Sequence, residues 1–443
     1  MTVLFIIPAL FSLYYLLKDR QDLAFLNVYL PCLILLPDYY EIRVPSLPPM
    51  SAATWALLPL AISLLFYPTP RLELRRMDLW VTLFILSFAA SELLREASPK
   101  DGATMLGGYV FRNLFAYIVA RRLIEPRLRV ATVQRIVLLF ICLTPFILWE
   151  YRMSVNPWIE IGQRFFHMDI DLGLSTRNSH IRVQATFGHA ILASMMFSIV
   201  FLMNCFLVEV YKRNKTRLGA MICRLERYHV PAFLLLFFLL LGQSRGPQLS
   251  TVVGYSILQI PRFRYLKLAA FIAVVLLAIT GSAVYSFFDA YTRAINNGTL
   301  SETQQSAVYR RDLLTNYEPV AEKGGWLGYG ALSVPQAGGQ KSIDNAYLVT
   351  RLVQGKFGYY LFLLIMAECI VTTGYRAFSF RSPESRYFAF VFLAAMIGLF
   401  QALYTVYLGA QIAPVLFLLL GWSQSLEDDG TNGPKFQFKR LFA

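Results

Sequence analysis

Tyr309–Gly358 reads YRRDLLTNYEPVAEKGGWLGYGALSVPQAGGQKSIDNAYLVTRLVQGKFG. On either side the chain is a succession of apolar segments. This stretch is the longest polar interruption among them, and the start of the next segment closes it. It carries adjacent arginines, Arg310 and Arg311, and a glycine-rich turn with Gly324, Gly325, Gly328 and Gly330. It ends on Asp344-Asn345-Ala346-Tyr347-Leu348 at the mouth of a hydrophobic span. Polar groups at a membrane edge are costly unless they are paired or functional. Candidate chemistry is therefore sought here, and the fold is read from the segments that flank it.

Those segments dominate the composition. Of 443 residues, 56% are hydrophobic and 15% charged, whereas a soluble domain carries about 25% charged residues. Apolar runs at 2–17, 23–37, 52–67, 79–94, 106–120, 131–150, 186–208, 230–244, 249–260, 266–287, 346–373, 387–406 and 409–422 predict an all-α polytopic membrane protein with about 12–13 spans. Pro31, Pro59 and Pro145 are candidate kink positions. The first run, MTVLFIIPALFSLYYLLKDR, has no basic leader region and no small-residue cleavage site, so it is expected to be a retained span. Cys32, Cys142, Cys205, Cys223 and Cys369 form no CxxC, which argues against a disulfide framework or a zinc site.

The net charge of +14 raises nucleic acid as a partner, but its distribution points to topology. Basic residues fall on every second loop, for example Arg71, Arg75 and Arg76, then Arg121, Arg122, Arg127 and Arg129, then Arg376, Arg381 and Arg386. The alternate loops mix acids with bases. By the positive-inside rule the basic loops and the tail 423–443 face the cytoplasm. The expected organisation is N-terminal spans over 1–150, an outward loop at 151–185, central spans over 186–287, a large outward loop at 288–345 and C-terminal spans over 346–422.

Five constellations on the outward side could carry chemistry. Arg182 stands at the start of a span with His189 two turns further in. An arginine there can hold a phosphate by bidentate, charge-assisted bonds, or it can simply anchor at the interface while the histidine is buried and satisfied. Ser244-Arg245-Gly246-Pro247 breaks two spans, a backbone irregularity tolerated at membrane depth only where it is protein-buried or lines a cavity. Arg310 and Arg311 point to different sides of a helix, so one of them is expected to face a site. Asp344 and Asn345 suit a sugar hydroxyl or a base, and equally suit a helix N-cap. Asp169-Ile-Asp171 near His167 has metal-ligand residue types, but the pattern is short and common and no metal site is assigned. Trp326, with Trp158, Phe165, Phe166, Tyr317 and Tyr329, is placed to stack on sugar rings or to anchor at the interface. No P-loop or HExxH is present.

The order of these pieces resembles the bacterial O-antigen ligase and O-antigen polymerase superfamily, mainly over 180–365. The resemblance rests on Arg182, Phe187, Gly188 and His189, then Ser244-Arg245-Gly246, then a loop with the arginine pair and Leu327-Gly328-Tyr329-Gly330. It closes on Asn345, Tyr347, Leu348, Gly355 and Gly358. Such proteins transfer glycans on the periplasmic face of the bacterial inner membrane from an undecaprenyl-diphosphate donor, without a cofactor or metal. The acceptor is a second lipid-linked repeat in polymerases and lipid A–core in ligases. The resemblance implies that Arg182, Arg245 and Arg310 or Arg311 hold the diphosphate. From its position at the outer mouth of a span Asp344 is expected at the acceptor, and His189, Asn345, Tyr347 and Trp326 are expected against substrate. Ligases carry His-Asn where this chain has Asp344-Asn345, a departure that favours a polymerase of exopolysaccharide or O-antigen repeats. The partners then expected are the lipid-linked glycan, the acceptor glycan, membrane lipid and other polysaccharide assembly proteins. The rival of another class is a transporter or flippase of lipid-linked sugars, which would more typically show repeats and broken helices near the midplane.

Overall fold

The computed structural model describes residues 2–42, 47–66, 74–95, 98–170, 172–173, 175–177, 180–214, 229–269, 302–340, 342–409 and 411–428, with Phe271, Ile272, Val275 and Ser286. Cys223 and Asp171, and nearly all of the expected span at 266–287 beyond Ala269, lie outside them.

Helices α1 (Ile7–Leu16) and α2 (Gln21–Leu35) come first, α2 passing through a π turn at Phe25–Tyr29 just before Pro31. A small hairpin, β1 (Glu41–Ile42) with β2 (Met50–Ser51), leads into α3 (Ala52–Phe66), which contains Pro59. Next are α4 (Arg76–Arg95) and α5 (99–123), the latter with a π turn at Val110–Leu114. Helix α6 (Pro126–Cys142) restarts as α7 (Thr144–Met153), with Pro145 in the first turn where its missing N–H costs nothing. The segment expected as the loop 151–185 contains its own helix, α8 (Pro157–Phe166), and the hairpin β3 (Thr176–Arg177) with β4 (His180–Ile181).

The second half holds α9 (Ala190–Asn214), α10 (Val230–Leu241) and α11 (Arg245–Ile257). The polar helix α12 (Glu302–Lys323) fills much of the expected loop 288–345. Last come α13 (Ala346–Ser379), α14 (Pro383–Ala402) and α15 (Ile412–Gln424). Recurrent Pro at the first turn (Pro99, Pro126, Pro157, Pro383) and side-chain caps from Ser98, Asn156 and Ser382 start these helices where the sequence turns apolar.

Five described helical segments are long and apolar enough to cross a membrane: Arg76–Arg95, Pro126–Met153, Ala190–Tyr211, Ala346–Ser379 and Pro383–Thr405. Shorter apolar helices stand at five further expected spans, below the roughly 20 residues that a perpendicular span needs. The chain is an all-α polytopic membrane protein. Helices α9 and α14 form its centre: α9 packs on α6, α10, α11 and α14, and α14 packs on α11 and α13. Both are buried over most of their length.

At one end basic side chains tie helix termini together. Arg121 pairs with Asp78 at 3.1 Å, Arg129 donates to Ser385 Oγ at 3.3 Å, and Arg376 donates to the Ser423 carbonyl. The other end gathers the outer termini of α4, α7, α9, α10, α11, α13 and α14 beneath α12 and its following loop, and it is the end that holds the candidate residues.

Candidate active site at one end of the helical bundle

Helix α13 breaks within its third turn. Gly355 adopts φ 67° and ψ −163°, a region essentially reserved for glycine. The break strips Leu352 and Val353 of helical donors, and Lys356 and Phe357 of helical acceptors. The glycine-rich turn after α12 supplies all four. Tyr329 and Gly330 N–H donate to the Leu352 and Val353 carbonyls at 2.9 and 3.1 Å. The Gly325 and Trp326 carbonyls accept from Lys356 and Phe357 N–H at 3.0 and 3.2 Å. A Cβ on Gly328 would lie 2.4 Å from the Val353 carbonyl oxygen, so only glycine permits this approach. Helix α4 locks the junction: Glu92 accepts from Ala331 N–H at 2.8 Å, Ser87 donates to Gln354 Oε1 at 2.8 Å, and Ser91 donates to the Val353 carbonyl. The polar loop is thus fixed to a membrane helix through backbone groups that a bilayer would not otherwise allow to stay open.

Helix α12 lies on this junction. Leu313, Tyr317 and Ala321 form its buried stripe against Leu348 and Leu352. Arg310 is one turn before Leu313 and continues that stripe; Arg311 falls off it and is exposed. The returning chain is pinned along α12, with Tyr309 Oη donating to the Ser342 carbonyl at 2.5 Å and Tyr317 Oη accepting from Ala337 N–H at 3.3 Å.

The segment before α9 is irregular apart from a 3-10 turn at Ala185–Phe187, and side chains from other elements satisfy it. Glu150, fully buried at the end of α7, accepts from Gln184 and Ala185 N–H, both at 2.9 Å, and from Asn156 Nδ2 at 3.1 Å. Gln411 donates to the Thr186 carbonyl at 3.0 Å. This carries Arg182 to the α10–α11 break, where its Nε donates to the Gly242 carbonyl at 3.1 Å. Arg177 donates to the adjacent Gln243 carbonyl at 2.6 Å. Ser244 is the N-cap position of α11 and Arg245 its first residue, exposed at the helix mouth.

These pieces meet. Burial, then the charges of Arg177 and Arg310, lower the Arg182 guanidinium to about 10. Arg310 is also lowered by burial and by Arg177 and Arg245, against an opposing effect of Asp344. Burial and Arg182 lower His189, with Asp344 acting the other way; the His189 Nδ1 accepts from Ile191 N–H at 3.2 Å, as a neutral imidazole can. Arg177, Arg182 and Arg245 thus gather about Arg310, which Asp344 also faces. Arg182 is only 7% exposed, and its Nη2 is buried without a hydrogen-bond partner. Buried donors are nearly always paired, and like charges brought together in partial burial repel. An anion with several oxygens would satisfy both conditions through charge-assisted bonds.

Asp344 accepts from Ser342 Oγ at 3.2 Å, and both residues line a cavity of about 450 Å³. The N-cap of α13 is Asn345, whose Oδ1 accepts from Leu348 N–H at 3.1 Å. Asp344 is consequently not needed for capping. Tyr347 points its hydroxyl into the bundle, donating to the Phe400 carbonyl at 2.8 Å. Trp326 is 64% exposed beside the break in α13. Arg182, Arg245, Arg310, His189 and Asp344 are brought together, while Arg311, Asn345, Tyr347 and Trp326 stand at the edge of the cluster with contacts of their own. The sequence reading passed over Arg177 and Glu150. Arg177 sits in an unpatterned stretch, and its only signal was membership of the loop 151–185. Glu150 ends an apolar run, where an acid with no visible partner could have marked it. Among the described residues no group of three His, Cys, Asp or Glu could hold a metal ion.

Residues 230–363 match the family model described as O-Antigen ligase. No curated protein matches the chain. The matched stretch runs from α10 through α11, α12 and the broken part of α13, so it includes Arg245, Arg310, Asp344 and Gly355. Over residues 230–363 the chain is thus similar to the O-antigen ligase family, a glycosyltransferase-like class of membrane enzymes, which supports the resemblance to the O-antigen ligase/polymerase superfamily.

Proposed function

We propose that this protein polymerises oligosaccharide repeats carried on undecaprenyl diphosphate, at the periplasmic face of the bacterial inner membrane. The observation that carries the reading is the gathering of Arg177, Arg182 and Arg245 about Arg310, which Asp344 also faces, with the Arg182 Nη2 buried and unpartnered. In this reading the arginines hold the donor diphosphate and offset the charge that develops as the sugar C1–O bond to phosphate breaks. The acceptor hydroxyl, positioned by Asp344, forms the new bond to C1. Its proton leaves to Asp344 or to the departing diphosphate. Arg182 and Arg245 sit on different elements, so the clamp needs the folded α10–α11 break to exist.

Purified protein incubated with a lipid-linked repeat alone is expected to yield longer glycans. Activity only with added lipid A–core would make the enzyme a ligase, and no transfer in either case would favour transport. Asp344→Asn keeps one acceptor oxygen and leaves the Asn345 cap in place. It is expected to lower kcat about tenfold, the difference between a charged and a neutral hydrogen bond. Full activity in both Asp344→Asn and Asp344→Ser would remove Asp344 from the reaction.

The alternation of basic and mixed loops along the sequence supports the sidedness. In intact cells with a permeabilised outer membrane, a membrane-impermeant thiol reagent is expected to label Lys323→Cys but not Arg127→Cys, each in a background lacking the native cysteines. Both positions are exposed, so labelling in the opposite pattern would reverse the orientation.

A further inference from the structure

We propose that helix α8 lies flat in the lipid headgroup layer, with Ile161 and Phe165 entering the bilayer and Arg164 at its phosphates. Helical spacing sorts the side chains of α8 into rows. Trp158, Gly162 and Phe166 form the row turned toward protein. The Trp158 ring rests on Phe146 of α7, with centroids 5.2 Å apart, and its Nε1 donates to the Leu35 carbonyl at the end of α2 at 3.1 Å. A Cβ on Gly162 would lie 3.0 Å from the Tyr40 ring, and the Phe166 ring meets Phe5, just before α1, at 4.9 Å. Ile161 and Phe165 form the next row, 38% and 56% exposed. Glu160, Gln163 and Arg164 make up the polar side and are all exposed.

The neighbours of α8 set its depth. Phe146 stands two turns before Met153, where the membrane-crossing segment Pro126–Met153 ends, and two turns of helix are about 10 Å. The first turn of α8 thus folds back along a membrane helix instead of standing clear of it. Phe146, Trp149 and Met153 make an exposed apolar row on α7, and Leu10 and Phe11 are likewise exposed on α1; on helices in a bilayer such rows face lipid. Because α8 packs on α7 and on the turn before α1, its own exposed row continues a surface that already meets lipid. The apolar arc of α8 is wider than the protein covers, and the headgroup–acyl boundary is where amphipathic helices bury such an arc. Arg164 borders Ile161 around the helix, so its stem can lie along lipid while the guanidinium reaches phosphate. The lipid contact involves no glycan chemistry and stands apart from the transfer reading.

The test is fluorescence quenching of the full chain in nanodiscs of phosphatidylethanolamine and phosphatidylglycerol, with a lipid that carries a nitroxide near the top of its acyl chain. Phe165→Cys and Gln163→Cys are compared, each bearing an NBD label in a background lacking the native cysteines. The label at Phe165 is expected to be quenched about threefold more by the nitroxide lipid than the label at Gln163, and about threefold less by aqueous iodide. Equal iodide quenching at the two positions would overturn the proposal, because α8 would then stand in water. A label at Phe165 shielded from both quenchers would overturn it as well, because protein would then cover the row. A photoreactive benzoylphenylalanine in place of Phe165, in the otherwise native chain, reads the same contact without removing cysteines. Phospholipid adducts are expected by mass spectrometry, and their absence would count against the lipid contact.

Discussion

Arg182→Lys is expected to lower glycan transfer by about 10- to 100-fold although the formal charge is kept. The arginine makes two kinds of contact that an ammonium cannot reproduce together. Its Nε is committed to the Gly242 carbonyl, which fixes the plane of the guanidinium, and Nη2 is left for another acceptor. Loss of one charge-assisted hydrogen bond costs about 1.5–3 kcal/mol, which is about one to two decades in rate. Protonation adds to the loss. Burial and the neighbouring arginines already lower Arg182 to about 10; a lysine starts from about 10.4 rather than above 12, so the same surroundings carry it toward neutrality near working pH. The variant should therefore regain activity as pH falls, and a steady-state pH profile reads this out. Wild-type activity in Arg182→Lys at all pH values would show that neither the fork geometry nor the charge at this position serves the reaction.

The second large effect is structural. Gly355→Ala is expected to cost several kcal/mol of stability and to remove activity with it. An alanine would have to hold φ 67° and ψ −163°, where strain for a residue with a Cβ is about 1–3 kcal/mol. Its Cβ would also lie 2.4 Å from the Trp326 carbonyl oxygen and 2.5 Å from Gly328 N. Relief would require the glycine-rich turn to withdraw, breaking the four hydrogen bonds that close the gap in α13. Gly374→Ala, further along the same helix and with open space around it, is the control. There the substitution removes a flexible residue from a helix and is expected to be neutral or stabilising by up to about 1 kcal/mol. Thermal unfolding of both variants in detergent measures the contrast. Equal stability of the two would mean that the break in α13 is dispensable.

Membrane character and the approximate position of most helices were legible in the sequence. A segment in lipid must satisfy its backbone internally, so length and apolarity alone nearly dictate a helix. The ordered set Arg182, Ser244-Arg245-Gly246, Arg310-Arg311 and Asp344-Asn345 was legible too, because polar residues next to apolar runs stand out against their background. Helical character inside the two polar loops was less visible. Among its described residues helix α12 buries only the short stripe of Leu313, Tyr317 and Ala321, too weak a pattern to separate from loop.

Tertiary structure decided the rest. Adjacent arginines cannot be told apart until the register of α12 is fixed by its buried stripe, and that register puts Arg310 inward. Arg177 and Glu150 act through partners far away in sequence, Gln243 for the one and Gln184 with Ala185 for the other, so no local pattern marks them. Gly328 and Gly355 each look like ordinary loop or helix glycines until the turn is seen to enter the break. Asp344 and Asn345 are equally good caps by residue type, and only the bond from Leu348 N–H to Asn345 assigns the cap to one of them. Local sequence determined which segments are helices, because in lipid that choice is made residue by residue through backbone satisfaction. Which charges share a space depended on how those helices meet, a property of long-range contacts that the order of residues does not display.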